Sequence, residues 1–468
     1  MEDWMEFFLS ISELGALLRA KKVSSVTLTE AYLSRLEKLG PQLNAVASLM
    51  ADSALAEARA ADKEMDHGRY RGPLHGIPYG AKDLLATRNA KTTWGATPYK
   101  DQQFDYDATI IKKLRDAGAV LVAKLAMVEL AGGMGYNEAS ASLTGPCKTP
   151  WNTDFWSGGS SSGPGAATAA ALVPFSIGSE TSGSIITPAA FSGVSGLRPT
   201  YGAVSRYGAM ALCWTLDKLG PMCRSAKDCG LVFNAIAGKD PLDPTSKDRP
   251  PRRTAVARGK QPRLRLGVMK DSYDKAQPEV KENFLRSLDV LKKFAKVEMD
   301  VKLPDFPYGP AVGTIVDAEG AAAFRDLIES GRTQQLASPN GRVGGYSASL
   351  VSAVDYLHAM RMRVPIRRAW NEMFKKIDVL VAPSRATVAY PINKTFDQAY
   401  PGITASSPIG ASNLVGVPAI SIPNGFGQNH LPTGIQFIGP AWSEPSLIDI
   451  ADKYQQATDW HRMQPKLA

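Results

Sequence analysis

Apolar residues in the amino-terminal quarter of the chain recur about every three to four positions, the spacing of one face of an α-helix. The clearest run is Leu28, Tyr32, Leu36 and Leu39. Gly40-Pro41 follows directly, and this pair favours the end of a helix because glycine closes helices and proline does not continue them. We therefore expect residues 1–70 to form a helical region.

The pattern changes further along the chain. A helical stretch at 109–116 leads into the short apolar run Val120-Leu121-Val122-Ala123, which is typical of a strand buried in a parallel sheet. Four later runs also predict strands, at 264–269, 377–382, 418–423 and 433–438. A helical pattern at 447–460 closes the chain. The alternation of helices and strands predicts one large α/β unit.

Two segments break the pattern. Residues 236–265 turn to Pro, Asp, Lys and Arg, which predicts an exposed connection. Residues 331–346 are rich in Gly, with Ser, Pro and Asn, so we expect a mobile loop that is either a lid or an ordinary connector. The single domain, 1–468, thus divides into the helical region 1–70, a core at 71–235, the connection at 236–265, and the remainder at 266–468.

The net charge is +9, from 54 Lys and Arg against 45 Asp and Glu. Part of the excess lies at 252–265, where prolines interrupt the basic run and no aromatic residue is interleaved. Stacking on nucleic-acid bases requires such aromatics. We therefore interpret the run as a solvated loop and expect no nucleic-acid partner.

The four cysteines indicate no disulfide framework in a chain of 468 residues. Cys223 and Cys229 lack C-x-x-C spacing and a nearby histidine, so we expect neither a metal nor another cofactor. The amino end, Met1-Glu2-Asp3-Trp4, is acidic where a signal peptide needs positive charge. No apolar run reaches the roughly 20 residues of a spanning helix. We expect a cytoplasmic protein with reduced thiols and no membrane partner.

Two short patterns match serine-hydrolase motifs. Gly159-Ser160-Ser161-Ser162-Gly163 fits G-x-S-x-G, but that motif needs a preceding strand and a downstream histidine. Residues 151–156 read as a loop, and the downstream histidines are His358, His430 and His461. Ser272-Tyr273-Asp274-Lys275 fits S-x-x-K without its companion motifs. We reject both interpretations.

A longer set of ordered blocks is more specific. The blocks are 73–83, Gly158-Gly159-Ser160-Ser161, Thr181-Ser182-Gly183-Ser184-Ile185 with Pro188-Ala189, 193–202, 378–383, 413–419 and 431–439. Together they resemble the amidase signature family over most of the chain. The resemblance implies that family's fold, a twisted mixed β-sheet covered by helices on both faces, and its activity, the cleavage of amide-type bonds.

The resemblance also implies residue roles. Ser184 is the expected nucleophile, Ser160 the bridging serine whose peptide bond is cis, and Lys82 the terminal base. The backbone N–H groups of Thr181, Ser182, Gly183 and Ser184 are the expected oxyanion hole.

The chemistry of amide cleavage by a serine requires the same residue types. A serine hydroxyl is a poor nucleophile until its proton is taken. A lysine takes a proton near neutral pH only when burial lowers its pKa from about 10.4. A hydroxyl can pass the proton on because it both donates and accepts.

One departure from the family pattern concerns Glu180. Many members carry an arginine where this chain has Ile186, and that arginine is the usual partner of the acid at position 180. The sequence leaves the partner of Glu180 open. Ile186 also makes the surroundings of the site more apolar than a small charged substrate would favour.

The substrate is expected to be a small-molecule amide or carbamate (urethane) with an apolar or aryl group, cleaved by water. The candidate binding residues are Ala131, Gly132, Gly133, Met134, Trp156 and Trp214. The enzyme is expected to be a monomer or a homodimer.

Two alternatives stay open. One is the glutamine-hydrolysing subunit of a tRNA-dependent amidotransferase. The resemblance implies that such subunits grip glutamine with an aspartate seven residues before the Asn of the 413–419 block, where this chain has Ser406. The other is a non-catalytic binding protein, which the presence of Lys82, Ser160 and Ser184 together disfavours.

Overall fold

The structure is a computed structural model that describes residues 6–250 and 263–467. Its helices are α1 Ile11–Arg19, α2 Ser25–Leu43, α3 Ala51–Asp66, α4 Thr109–Asp116, α5 Ser162–Ala169, α6 Ile186–Ser192, α7 Ala226–Ile236, α8 Pro278–Leu291, α9 Tyr308–Ala323, α10 Arg325–Glu329, α11 Pro339–Ala348, α12 Ala353–Lys376, α13 Phe396–Ala399, α14 Ile409–Val415 and α15 Glu444–Gln456. The strands are β1 Val46–Leu49, β2 Pro78–Lys82, β3 Val120–Leu125, β4 Phe175–Glu180, β5 Ser195–Arg198, β6 Lys218–Cys223, β7 Arg265–Met269, β8 Lys296–Val301, β9 Val379–Pro383, β10 Ala419–Phe426 and β11 Pro432–Ile438.

Within the described residues, all eleven strands form one mixed sheet in the order β1-β3-β2-β4-β6-β5-β10-β11-β9-β7-β8. β2 runs parallel to both β3 and β4, and β7 runs parallel to both β8 and β9. The other pairings are antiparallel. The predicted α/β fold, a single unit with a large mixed sheet and helices, is confirmed.

The apolar face predicted for the second helix packs onto the sheet. Leu36 and Leu39 of α2 lie in one buried cluster with Val120 and Val122 of β3. Ala166 of α5 belongs to the same cluster, where its small side chain lets α5 approach closely. This packing places the start of α5 beside the parallel strands β2 and β4, where the predicted chemistry lies.

The connection predicted at 236–265 is described only in part, since residues 251–262 lie outside the described residues. The sequence predicts that this connection is exposed, but the part before the gap is partly buried. Asp240 and Asp243 are buried, and Asp240 accepts hydrogen bonds from Thr109 Oγ1 (2.6 Å) and Ser205 Oγ (2.5 Å). Carboxylates with hydroxyl partners anchor this stretch to the body of the domain.

The prediction of a loop at 331–346 is also wrong, because this segment contains regular secondary structure. A 3₁₀ turn at Arg332–Gln335 is followed by α11, whose first residue is Pro339. Ser338 caps the helix by accepting a hydrogen bond from Gly341 N–H at 3.4 Å. Serine before proline is a helix-start signal, which the high glycine content concealed. Whether the segment acts as a lid stays a prediction.

Candidate active site

Lys82 is the last residue of β2, and its side chain is fully buried. The ammonium group contacts three hydroxyls: Nζ donates to Ser160 Oγ at 2.7 Å, Ser179 Oγ at 2.9 Å and Ser161 Oγ at 3.1 Å. Burial lowers the pKa of Lys82 to about 7, although the charges of Asp217 and Glu180 oppose the shift. A large share of this lysine is therefore neutral near pH 7, as a base must be.

Ser160 lies in the loop that enters α5, and the Gly159–Ser160 peptide bond is cis. Its side chain is fully buried. The carbonyl of Ser160 accepts a hydrogen bond from Val128 N–H at 3.1 Å. This contact ties the serine to the segment that follows β3.

Ser184 lies in the turn between β4 and α6, with 9% of its surface exposed. Its carbonyl accepts a hydrogen bond from Ser161 N–H at 3.2 Å, which joins the two serine-rich segments. Among the hydrogen bonds of the described residues, none joins Ser160 Oγ to Ser184 Oγ. The short link between the hydroxyls must therefore form during the reaction if the two serines share a proton.

The turn before Ser184 presents unused backbone donors. Among the described residues, the N–H groups of positions 181–184 donate to no protein acceptor. Gly183 has a φ of +96°, a conformation that glycine adopts without strain. Ser182 is exposed, so the turn opens to solvent. Free N–H groups beside a nucleophile are what an oxyanion needs.

The buried carboxylate of Glu180 holds this turn in place. Its Oε2 accepts hydrogen bonds from Ile185 N–H at 2.9 Å and Ile186 N–H at 3.0 Å. Its Oε1 accepts from Arg198 Nη1 at 2.9 Å and Asn413 Nδ2 at 2.7 Å. Burial opposes ionisation, but these partners together hold the pKa of Glu180 below its ordinary value. The partner that the sequence left open is Arg198, at the end of β5.

A cavity of about 220 Å³ lies beside this turn. Its apolar wall consists of Leu84, Ala131, Ala209, Met210, Ala211, Leu212, Trp214, Leu219, Leu242 and Pro244, and its polar wall of Ser179, Thr181, Arg206, Tyr207, Asp217 and Asp243. Thr181 Oγ1 donates to Asp217 Oδ1 at 2.6 Å, and Asp217 Oδ2 accepts from Leu212 N–H at 2.9 Å. Asp217 thus joins the oxyanion turn to the cavity wall.

The cavity includes two of the six predicted binding residues. Ala131 and Trp214 line it, and Trp214 is 45% exposed. Gly133 does not line the cavity itself. It lies directly behind the wall residue Leu212, which an added Cβ at Gly133 would contact.

The other three predicted binding residues have packing roles. Trp156 is buried and stacks on Phe396 with ring centroids 4.7 Å apart, so it belongs to an aromatic core cluster instead of the pocket. Gly132 packs against Tyr136. Met134 is buried, and its sulfur lies beside Gly345 of α11. An aromatic or methionine in a large enzyme more often fills the core, and the sequence alone could not separate these cases.

Sequence reasoning missed Ser161 and Ser179 as partners of Lys82, and Arg198 as the partner of Glu180. The sequence did carry a signal for Ser179. This serine lies two residues before Thr181 at the end of a strand, and side chains two positions apart in a strand lie on the same face. No such signal existed for Arg198, which reaches Glu180 only through sheet pairing.

Ser160 and Ser161 of the G-x-S-x-G pattern contact Lys82, but the site gives no support to a nucleophile elbow with a histidine base. No hydrogen bond of the described residues joins a histidine to Ser160 or Ser184. His430 stacks on Phe426 with centroids 4.5 Å apart. Within residues 6–250 and 263–467 there is no group of three His, Cys, Asp or Glu side chains placed to hold a metal ion. In the same residues no helix is both long and apolar enough to cross a membrane.

Comparison with known proteins agrees with this geometry. The family model named Amidase matches residues 27–448. The chain belongs to the amidase signature family. It is an amidohydrolase, an enzyme that acts on amide bonds.

Three relatives place this amidase among others of its family. A glutamyl-tRNA(Gln) amidotransferase subunit of Chloroflexus aggregans is 37% identical over 98% of this chain and 99% of its own length. The peptide amidase of Stenotrophomonas maltophilia has 30% identity and a TM-score of 0.83, with 98% of each chain covered. The corresponding glutamyl-tRNA(Gln) amidotransferase subunit of Thermotoga maritima has 27% identity and a TM-score of 0.79, again with 98% of each chain covered.

Proposed function

We propose that this amidase cleaves its substrate through an acyl-enzyme on Ser184, with Ser160 and Lys82 as the proton relay. The observation that carries the proposal is the buried contact between Lys82 Nζ and Ser160 Oγ at 2.7 Å. A lysine with a pKa of about 7 in contact with a serine hydroxyl is a usable base. The proposed nucleophile, Ser184, belongs to the same site and has 9% of its surface exposed.

The steps follow from these positions. Ser184 Oγ attacks the carbonyl carbon while its proton passes to Ser160 and the proton of Ser160 passes to Lys82. The carbonyl oxygen becomes an oxyanion that accepts hydrogen bonds from the N–H groups of residues 181–184. The C–N bond breaks as the proton returns to the leaving nitrogen. Water then attacks the ester on Ser184 by the same relay and releases the acid.

Two substrate classes are candidates. The apolar wall formed by Met210, Leu212 and Trp214 supports an amide or carbamate with an apolar or aryl group. The relatives support a different amide, because two of the three compared above are named as amidotransferase subunits. On that second candidate the enzyme hydrolyses glutamine within a complex that contains protein partners and charged tRNA.

The names of the relatives favour glutamine as the substrate over the apolar amide. Ser406, by contrast, argues against glutamine. A serine hydroxyl cannot supply the negative charge that the amino group of glutamine would meet at that position. The two candidates therefore differ in a measurable way, the hydrolysis of free glutamine.

The first experiment compares wild-type enzyme with Ser184→Ala on an anilide, a carbamate and glutamine. We expect Ser184→Ala to lose all activity and wild type to form an acyl adduct that mass spectrometry assigns to Ser184. Ser446→Ala, an exposed serine on α15, is the matched control and should behave as wild type. An adduct on another serine would overturn the assignment. Release of ammonia from glutamine without anilide cleavage would select the amidotransferase candidate.

A further inference from the structure

A second cavity, of about 340 Å³, lies between the segment after β9 and the loop that precedes α14. Polar side chains dominate its wall, including Arg385, Thr387, Tyr390, Tyr400, Ser406 and Ser407. The proton relay and the oxyanion turn described above use none of these groups, although Ser406 occupies the position discussed for glutamine recognition. A partly open cavity lined by hydroxyls, one guanidinium and the carboxylate of Asp397 suits a polar ligand.

Arg385 is the cation of this cavity, and within residues 6–250 and 263–467 it has no anionic partner. Its Nη2 donates to Tyr390 Oη at 2.9 Å, while its Nε is buried without an acceptor. The ion pairs of the described residues include none from Arg385, although Asp397 lies in the same wall. Thr387 Oγ1 is also buried without a partner. Buried donors without acceptors are costly, and both belong to one cavity.

The cavity adjoins the active site through α14 and α6. Ser407 Oγ accepts a hydrogen bond from Ile409 N–H at 3.4 Å. The side chain of Ile409 in turn packs against Gly183, where an added Cβ would lie 3.2 Å from it. The guanidinium of Arg385 lies 5.9 Å from the ring centre of Phe191, a residue of the helix that follows Ser184. The cavity thus lies on the Gly183 side of the oxyanion turn, with Ile409 between the turn and the cavity wall.

We propose that this cavity binds a carboxylate of the amide substrate through Arg385. The planar guanidinium presents N–H groups in the fork that matches a carboxylate, and the hydroxyl of Thr387 adds a donor. The cavity of Trp214 would then take an apolar part of the same substrate. This inference rests on the proposed amide hydrolysis at Ser184, and it narrows the substrate to an amide that carries an acid group.

The test uses two matched pairs of compounds. N-Benzoylglycine and its methyl ester place the carboxylate on the amine side of the scissile bond. Glutaramic acid and its methyl ester place it on the acyl side. We expect one acid to exceed its ester in kcat/KM by about tenfold to a hundredfold, the range of a charge-assisted hydrogen bond. Arg385→Gln should remove that preference mainly through KM, and Arg385→Lys should restore part of it.

Binding is measured separately from catalysis by calorimetry on Ser184→Ala, with and without Arg385→Gln. Arg325→Gln, an exposed arginine on α10, is the matched control and should leave the acid-to-ester ratio unchanged. If an acid binds better than its ester only when Arg385 is present, the inference stands even where hydrolysis fails. If neither acid binds better than its ester, or if Arg385→Gln leaves the preference intact, the inference is overturned.

Discussion

Arg198 Nη1 lies 2.9 Å from Glu180 Oε1, and both side chains are fully buried. Glu180 also holds the N–H groups of Ile185 and Ile186, so the ion pair supports the turn that carries Ser184. Sheet order explains the contact: β6 pairs with β4 on one side and with β5 on the other. The pair takes the place of an ion pair that the family usually makes from position 186.

Arg198→Ala should therefore destabilise the enzyme strongly. Removing one partner leaves a buried carboxylate without its cation, which typically costs about 3–5 kcal/mol. The free energy of unfolding in urea measures the effect. Arg325→Ala breaks an exposed pair with Glu329 and should change stability little. Equal stability of Arg198→Ala and wild type would show that Glu180 is neutral or otherwise paired.

Activity should fall on the acid side as Lys82 takes up a proton. Its pKa of about 7 means that the neutral, active form predominates above pH 7 and declines about tenfold for each pH unit below it. The measurement is log kcat/KM between about pH 5 and pH 9. A profile that stays flat to pH 5 would exclude a lysine base.

A second buried lysine could produce the same acid limb. Burial lowers the pKa of Lys218 to about 7 as well, and its Nζ donates to the carbonyl of Leu216. Lys218→Met should keep the acid limb of kcat/KM if Lys82 is the base. Loss of the limb in Lys218→Met would transfer the titration to Lys218.

Two tryptophans should respond to substitution in opposite ways. Trp156 is buried among aromatic rings, so Trp156→Ala should cost about 3–5 kcal/mol of stability, the usual range for a buried tryptophan. Trp214 is 45% exposed and lines the cavity beside Thr181. Trp214→Ala should raise KM for bulky apolar substrates while the melting temperature changes little. The reverse result would place Trp156 in the substrate pocket.

Glu129 connects the predicted pocket segment to α11. Its two carboxylate oxygens accept hydrogen bonds from Ala337 N–H and Ser338 N–H, both at 2.8 Å. Glutamine has one acceptor oxygen, so Glu129→Gln leaves one N–H without its partner. We expect faster hydrogen exchange at 336–348 and, if this segment is a lid, a changed KM for bulky substrates.

The matched control for this prediction is Glu282→Gln, an exposed change on α8. Faster exchange with unaltered kinetics across bulky and small substrates would show that the segment is only a connector.

Elements with a strong local pattern were predictable. The helix at 109–116 has the bounds that the sequence indicated, because its apolar residues repeat at the helical period. The strands near 120, 380, 420 and 435 were also found within a few residues. The helix α11 was missed, because its glycines weaken the period and its core contact is with Met134, far away in sequence.

The sequence by itself determined the α/β class, the family, and the expected roles of Lys82, Ser160 and Ser184, since these depend on residue type and order along the chain. Only the tertiary structure decided what surrounds those residues. Arg198 and Ser179 meet their partners Glu180 and Lys82 through sheet pairing between segments that are distant in sequence or separated by other elements. Burial then lowers the pKa of Lys82, and no ion pair of the described residues includes Arg385. Both features depend on neighbours that a linear pattern does not contain.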